Sequence, residues 1–207
     1  MGKYILKKFN RDLIQFELQK NIYGDFECLN IKAVGDEKDF PERLKRNNKD
    51  VLGWLRSRII PRNREFVHEI LRNQGLSYND LEGIINVCLG LSVNDVYWVV
   101  PERFHGKFED YNLYENSFSN ALGLVAFTGY SQTINELSPS PEMTTNGQLP
   151  KAWRRINNDL YLYKGGSDSS FANGGNEPYS EFYASQVAKK MGINHVEYDL
   201  EQWKGMF

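Results

Sequence analysis

Asp159-Leu160-Tyr161-Leu162-Tyr163-Lys164 alternates leucine with tyrosine and ends on a lysine. Its alternation predicts a strand with Leu160, Leu162 and Lys164 on one face and the two tyrosines on the other. The glycine-, serine- and asparagine-rich run from Gly165 to Gly175 predicts an exposed connection. Glu177-Pro178 then opens a helix, with proline in the first turn where its missing N–H costs nothing. Ala184, Val187, Ala188 and Met191 give that helix an i, i+3, i+4, i+7 apolar face, and Gly192 ends it. His195 to Leu200 reads as a further short strand.

Upstream, Ser138 to Asn146 is rich in serine, proline, threonine and asparagine, which predicts a loop and a subdomain boundary. The expected units are residues 1–137 and 138–207. Within the first, Phe118 to Phe127 is an apolar helix started by Ser117, and Val96 to Val100 is a compact strand closed by Pro101. Leu81, Ile84, Ile85, Cys88 and Leu89 form a helical stripe that Ser77 can cap. Leu52, Leu55 and Ile59 precede Pro61, and Phe66, Val67, Ile70 and Leu71 repeat at helical spacing before Gly75. Gly35 to Asp50 is charged and reads as a solvated connection. Ile14, Phe16 and Leu18 alternate with Gln15, Glu17 and Gln19, and with Tyr4–Phe9 and Phe26–Ala33 they predict a small antiparallel sheet. The class is α+β, a small antiparallel sheet plus helices ahead of a last lobe of strand, loop and helix.

Composition narrows the function classes. A net charge of −2 over 207 residues supplies no basic field to hold a polyanion, so nucleic acid is not the expected partner. No apolar run approaches the ~20 residues that cross a bilayer, so no membrane association is expected. The amino terminus has no hydrophobic leader, and Leu6 stands where a myristoylation start needs Ser or Thr. Cys28 and Cys88 sit in apolar segments outside any Cys-x-x-Cys pair, which predicts free thiols in a reducing cytoplasm rather than a disulfide. His68, His105 and His195 lack metal-ligand spacing, so no zinc site is expected.

The chemistry lies in the last third. A lysine at the end of an apolar strand can lie under nucleotide phosphates while Leu162, on the same face, lines the base, and a carboxylate on the next helix, Glu181, can fix the ammonium. The loop Thr144-Thr145-Asn146-Gly147-Gln148-Leu149-Pro150-Lys151 offers hydroxyls, a glycine and a lysine that could meet phosphate oxygens. It is neither a Walker motif nor Gly-x-Gly-x-x-Gly, and a turn joining two elements explains it equally well.

Four motifs in order carry a resemblance. They are Phe108-Glu109-Asp110-Tyr111-Asn112-Leu113-Tyr114-Glu115-Asn116, Thr144-Thr145-Asn146-Gly147-Gln148-Leu149-Pro150-Lys151-Ala152-Trp153, Leu162-Tyr163-Lys164-Gly165-Gly166 and Glu177-Pro178-Tyr179-Ser180-Glu181-Phe182-Tyr183-Ala184. Over Phe108 to Leu200 the chain resembles the amino-terminal lobe of toxin-type, HipA-like serine/threonine kinases, more weakly back to about Leu52. The resemblance implies a kinase-like lobe and ATP with Mg²⁺ in the complete enzyme. It makes Thr144, Thr145, Asn146, Gly147 and Lys151 the phosphate-side loop, which in the family can carry an autophosphorylated hydroxyl and swing out. It makes Lys164 the nucleotide lysine, Glu181 its partner and Leu162 a base contact, and it implies a carboxy-terminal kinase lobe or an antitoxin-like protein as partner. The residues after Glu181 contain no His-Arg-Asp or Asp-Phe-Gly run, and Asp199 falls in a predicted strand. The expectation is therefore a lobe without catalytic or Mg²⁺-holding aspartates, inactive alone.

Two other classes stay open. Arg56, Arg58, Arg62, Arg64 and Arg72 near two helices suggest a helix-turn-helix DNA reader, although Glu65 and Glu69 interrupt the patch. The 14% aromatic content fits a non-catalytic interaction module equally well.

Overall fold

The computed structural model describes residues 2–130, 138–167 and 175–203. Among these the fold is mixed α+β, built on a four-stranded antiparallel sheet, a separate two-stranded hairpin and seven α-helices. Strands β1 (Gly2–Lys8), β2 (Arg11–Lys20), β3 (Phe26–Ala33) and β4 (Tyr97–Pro101) lie in the order β3-β2-β1-β4. Alternation sorts their side chains between two cores. Tyr4, Leu6, Ile14, Phe16, Leu18 and Val99 face the larger one. Ile5, Trp98 and Val100 face a smaller one with Leu89, Leu91, Phe108 and Leu113. Each such side chain contributes roughly 1.5–3 kcal/mol by leaving water.

The larger core is covered by α1 (Glu42–Arg46), α2 (Val51–Arg56), α3 (Val67–Asn73) and α4 (Leu81–Cys88), which follow β3. The charged stretch before Val51 is not merely a solvated connection. Phe40 and Leu44 within it are buried in the core, two apolar residues being enough to dock a one-turn helix. Asp80 caps α4 rather than Ser77, its carboxylate accepting from the Gly83 N–H at 3.0 Å. The cap position falls to the residue directly before the first helical turn.

A short helix, α5 (Phe108–Tyr111), leads to α6 (Asn120–Thr128). Ser119 caps α6 by accepting from the Leu122 N–H, two residues later than the sequence suggests. Leu122, Gly123, Val125, Ala126 and Phe127 are all buried, so α6 is enclosed on most sides. Against it packs the hairpin of β5 (Lys151–Ile156) and β6 (Asp159–Lys164), whose second strand has the bounds read from the sequence. The final helix, α7 (Glu177–Lys190), also begins at the expected residue.

Two expectations in the last third need correction. His195–Leu200 forms no strand: it lies beside α7, where the Val196 carbonyl accepts from the Ser185 hydroxyl instead of from a neighbouring strand. The apolar face of α7 is turned outward, with Val187 57% and Met191 66% exposed, and Ser185 is that helix's buried residue. Ser138–Asn146 is a loop, but an internal one: a 3₁₀ turn at Pro141–Met143 places Met143 in the larger core. Most of Gly165–Gly175 lies outside the described residues. Cys28 and Cys88 are both free thiols. Among the described residues no helix is long and apolar enough to cross a membrane.

Candidate functional site

Lys151 and Lys164 are directly opposed in the β5–β6 ladder, as are Trp153 and Leu162. Opposed residues of an antiparallel pair leave the same side of the sheet, so these four side chains share one face. Tyr163 and Arg154 occupy the other face, where the Tyr163 and Trp203 rings meet edge to face at 5.3 Å and the Arg154 guanidinium lies over both, at 5.0 and 4.8 Å. Trp203 in turn meets Phe127 of α6, which draws the end of the described chain back over the hairpin.

Lys164 closes the distance to α7. Its Nζ donates to Glu181 Oε2 at 2.7 Å and to Tyr198 Oη at 3.2 Å, and it stands 5.2 Å from the Tyr198 ring. Both side chains of the ion pair are about one-third exposed, at 30% and 34%. Burial alone would lower the Lys164 pKa, and the hydrogen bonds to Glu181 and Tyr198 reverse this and hold it raised. The ammonium is therefore fixed, charged and still partly open to solvent.

The loop from Thr144 to Lys151 runs directly into β5. The Thr144 and Thr145 hydroxyls both donate to the Pro141 carbonyl, at 3.4 and 2.6 Å, and Trp153 Nε1 donates to Thr145 Oγ1 at 2.9 Å. Thr144 is nearly buried, so neither hydroxyl is presented outward in this conformation. Lys151 Nζ donates to the Asn146 carbonyl at 2.9 Å. Gly147 has φ +97°, a left-handed conformation that favours glycine, and its lack of a side chain leaves room for the Lys151 ammonium. Gly165 N–H donates to the Pro150 carbonyl at 2.8 Å, tying the loop's end to the residue after Lys164.

Sequence reasoning missed the group that organises this loop. Arg64 reaches it from the turn before α3 and donates from Nη1 to the Thr145 carbonyl at 3.0 Å. Its Nη2 donates to the Lys151 carbonyl at 2.7 Å and to Glu142 Oε2 at 3.4 Å. Glu142 Oε1 accepts the Trp153 N–H at 2.7 Å. Both side chains of this pair are fully buried. Burial pushes the Glu142 carboxyl up to about 7 against the opposing pull of Arg64, and it lowers Arg64 as well. Burial, then repulsion from Arg64 and Lys164, brings Lys151 down to about 8. Three cationic side chains thus converge on two carboxylates, a balance that favours an added anion.

Of the residues read from the sequence, Lys164, Glu181, Lys151 and Leu162 come together at one end and face of the hairpin, with Asn146 and Gly147 beside Lys151. Thr144 and Thr145 brace the loop from inside. Tyr198, Trp153, Arg64 and Glu142 are the additions. Arg64 and Glu142 are 78 positions apart, and only the fold joins them. The arginine run that suggested DNA is largely engaged internally. Arg58 forms a two-pronged pair with Asp95, at 2.6 and 2.9 Å, Arg62 covers the Tyr78 ring, and Arg64 is buried.

No family model matches the chain, and no curated protein or solved structure is detectably similar to it.

Proposed function

We propose that this chain is the nucleotide-binding, amino-terminal lobe of a HipA-like serine/threonine kinase of the cytoplasm, working with a carboxy-terminal kinase lobe. The observation that carries the reading is the 2.7 Å Lys164–Glu181 ion pair between strand and helix, beside a loop whose last residue, Lys151, opposes Lys164. In this reading the triphosphate of ATP takes the place of solvent over Lys164. Lys151 leaves the Asn146 carbonyl to meet the phosphates, and Leu162 and Trp153 line the base. An arriving anion is favoured because it relieves the repulsion among Lys151, Lys164 and Arg64.

Among the described residues no three carboxylate, histidine or cysteine side chains are grouped to hold a metal ion. Mg²⁺ and the substrate hydroxyl would accordingly be held by aspartates of the partner lobe. Phosphoryl transfer depends on positioning and electrostatic stabilisation of the moving group, and this chain offers the phosphate-binding half of that clamp. Alone it would bind MgATP weakly and transfer nothing.

The test supplies a HipA-like carboxy-terminal lobe in trans and measures phosphate transfer from labelled ATP. Activity should appear with the pair and fall about 100-fold or more in Lys164→Ala, the scale of losing one preorganised electrostatic contact. Strong phosphorylation by the 207-residue chain alone, unchanged in Lys164→Ala, would refute the reading.

A further inference from the structure

We propose that Arg64 is the positioning residue of the Thr144–Lys151 loop, so that the turn before α3 in the helical layer sets the shape of the phosphate-side site. What the loop binds rests on the nucleotide reading above; the pinning does not. The guanidinium grips the loop at both ends, through the Thr145 and Lys151 carbonyls, and a third contact goes to Glu142 just upstream. Next to it, the Glu65 N–H donates to the Gln148 carbonyl at 2.7 Å, so the loop's middle is also held by this turn.

The turn is built for that task. Phe66 adopts φ +57°, a left-handed conformation that a bulky residue takes only when its surroundings enforce it. The Phe66 ring packs against Gly129, where a Cβ would collide with it. Only arginine presents donors in a rigid planar fork that can span two carbonyls and a carboxylate at once. Lys151 cannot do this work from within, since its ammonium holds one carbonyl, that of Asn146. With the Lys151 carbonyl fixed by Arg64, the direction in which the Lys151 side chain leaves the hairpin is fixed as well.

The test must separate pinning from folding, because Arg64→Ala would strand a buried carboxylate. Arg64→Met combined with Glu142→Met removes both charges at similar volume, and Arg64→Lys keeps the charge but loses the fork. Hydrogen exchange is read at the Glu65, Thr144 and Thr145 amides, with Val99 and Val100 amides as the reference for the sheet. Inorganic tripolyphosphate binding is followed in the same samples by chemical-shift titration. In both variants the three loop and turn amides should exchange about tenfold faster or more while the sheet amides keep their protection. Tripolyphosphate affinity should weaken by about tenfold.

Unchanged exchange at all three amides in a folded double variant, or in Arg64→Lys where the double variant does not fold, would overturn the proposal. So would full recovery of both readouts by Arg64→Lys. Failure of the parent to bind tripolyphosphate, or binding indifferent to Lys164→Ala, would instead count against the nucleotide reading, and the exchange data would still decide the pin.

Discussion

Helices α6 and α7 are held in opposite ways. The nine residues of α6 include five buried ones, whereas the fourteen of α7 include only Ser185. Burial fixes α6, and the β5–β6 hairpin inherits a rigid floor from it. Polar contacts orient α7 among the described residues: the Lys164–Glu181 pair, the Ser167 N–H and hydroxyl donating to Glu177, Lys189 paired with Glu197, and the Ser185 hydroxyl donating to the Val196 carbonyl at 3.4 Å. A partly exposed ion pair is worth about 0–1 kcal/mol. The element carrying Glu181 is thus held by polar contacts, one of them at the site, rather than by the core.

The difference can be broken most forcefully from the core side. Trp98→Ala should cost about 3–5 kcal/mol in denaturant unfolding, since the indole is fully buried and its N–H donates to the Phe9 carbonyl at 2.6 Å. Met191→Ala on the outward face of α7 should change stability by less than about 0.5 kcal/mol. Equal losses would mean that α7 is covered in solution.

Next in size is the buried pair under the phosphate-side loop. Arg64→Ala should cost about 3 kcal/mol by leaving Glu142 buried without its counter-charge, which forces it to take up a proton, and Arg64→Met with Glu142→Met should recover part of it. If the double variant is as unstable as the single one, packing rather than charge is what Arg64 supplies.

Glu142 also gives the fold a pH signature. Its folded pKa of about 7 stands above the usual 4.5, so the native state binds that proton more tightly than the unfolded state does. This group therefore subtracts stability as pH rises from about 4.5 to about 7. Surface carboxylates with lowered values, such as Asp39 and Glu177, act in the opposite sense and at lower pH. Glu142→Gln should flatten the decline between pH 4.5 and 7 seen in thermal unfolding, and an undiminished decline would show that another group is responsible.

A small global effect is expected at the ion pair. Glu181→Gln should lower overall stability by no more than about 1 kcal/mol. Hydrogen exchange should nevertheless quicken along α7 and stay constant along α6. Uniform quickening of both helices would erase the distinction drawn between them.

How far the fold was legible in the sequence follows the same division. Strands with one wet face announce themselves by alternation, as Ile14, Phe16 and Leu18 do against Gln15, Glu17 and Gln19. A period-two signal is local, and so is the proline that opens α7. His195–Leu200 shows where local pattern fails, because alternation does not say which partner the segment meets, and here it lies beside α7 rather than along a sheet edge. The apolar stripe of α7 misleads for a related reason: periodicity says that a face exists, not that this chain covers it.

In the site, Lys164 and Glu181 were readable because each lies at the end or first turns of a recognisable element. Arg64 and Glu142 were not, since a buried pair separated by the whole helical layer has no spacing signature. Within the sequence Arg64 is one of several arginines, and burial alone distinguishes it. The kinase-like reading of the lobe rests on the order of four motifs and on the geometry they adopt around Lys164.

Lys164 and Lys151 are proposed to form together a receptor for a polyphosphate chain. Titration of the isotope-labelled chain with inorganic tripolyphosphate and then MgATP, followed by amide and lysine-ammonium chemical shifts, tests it most directly. Saturable shifts should be confined to Gly147, Lys151, Lys164 and the first turns of α7, with binding weak in the parent and about tenfold weaker again in Lys164→Ala. Shifts that centre on the exposed Arg56 and Arg72 instead, or that survive Lys164→Ala unchanged, would contradict it.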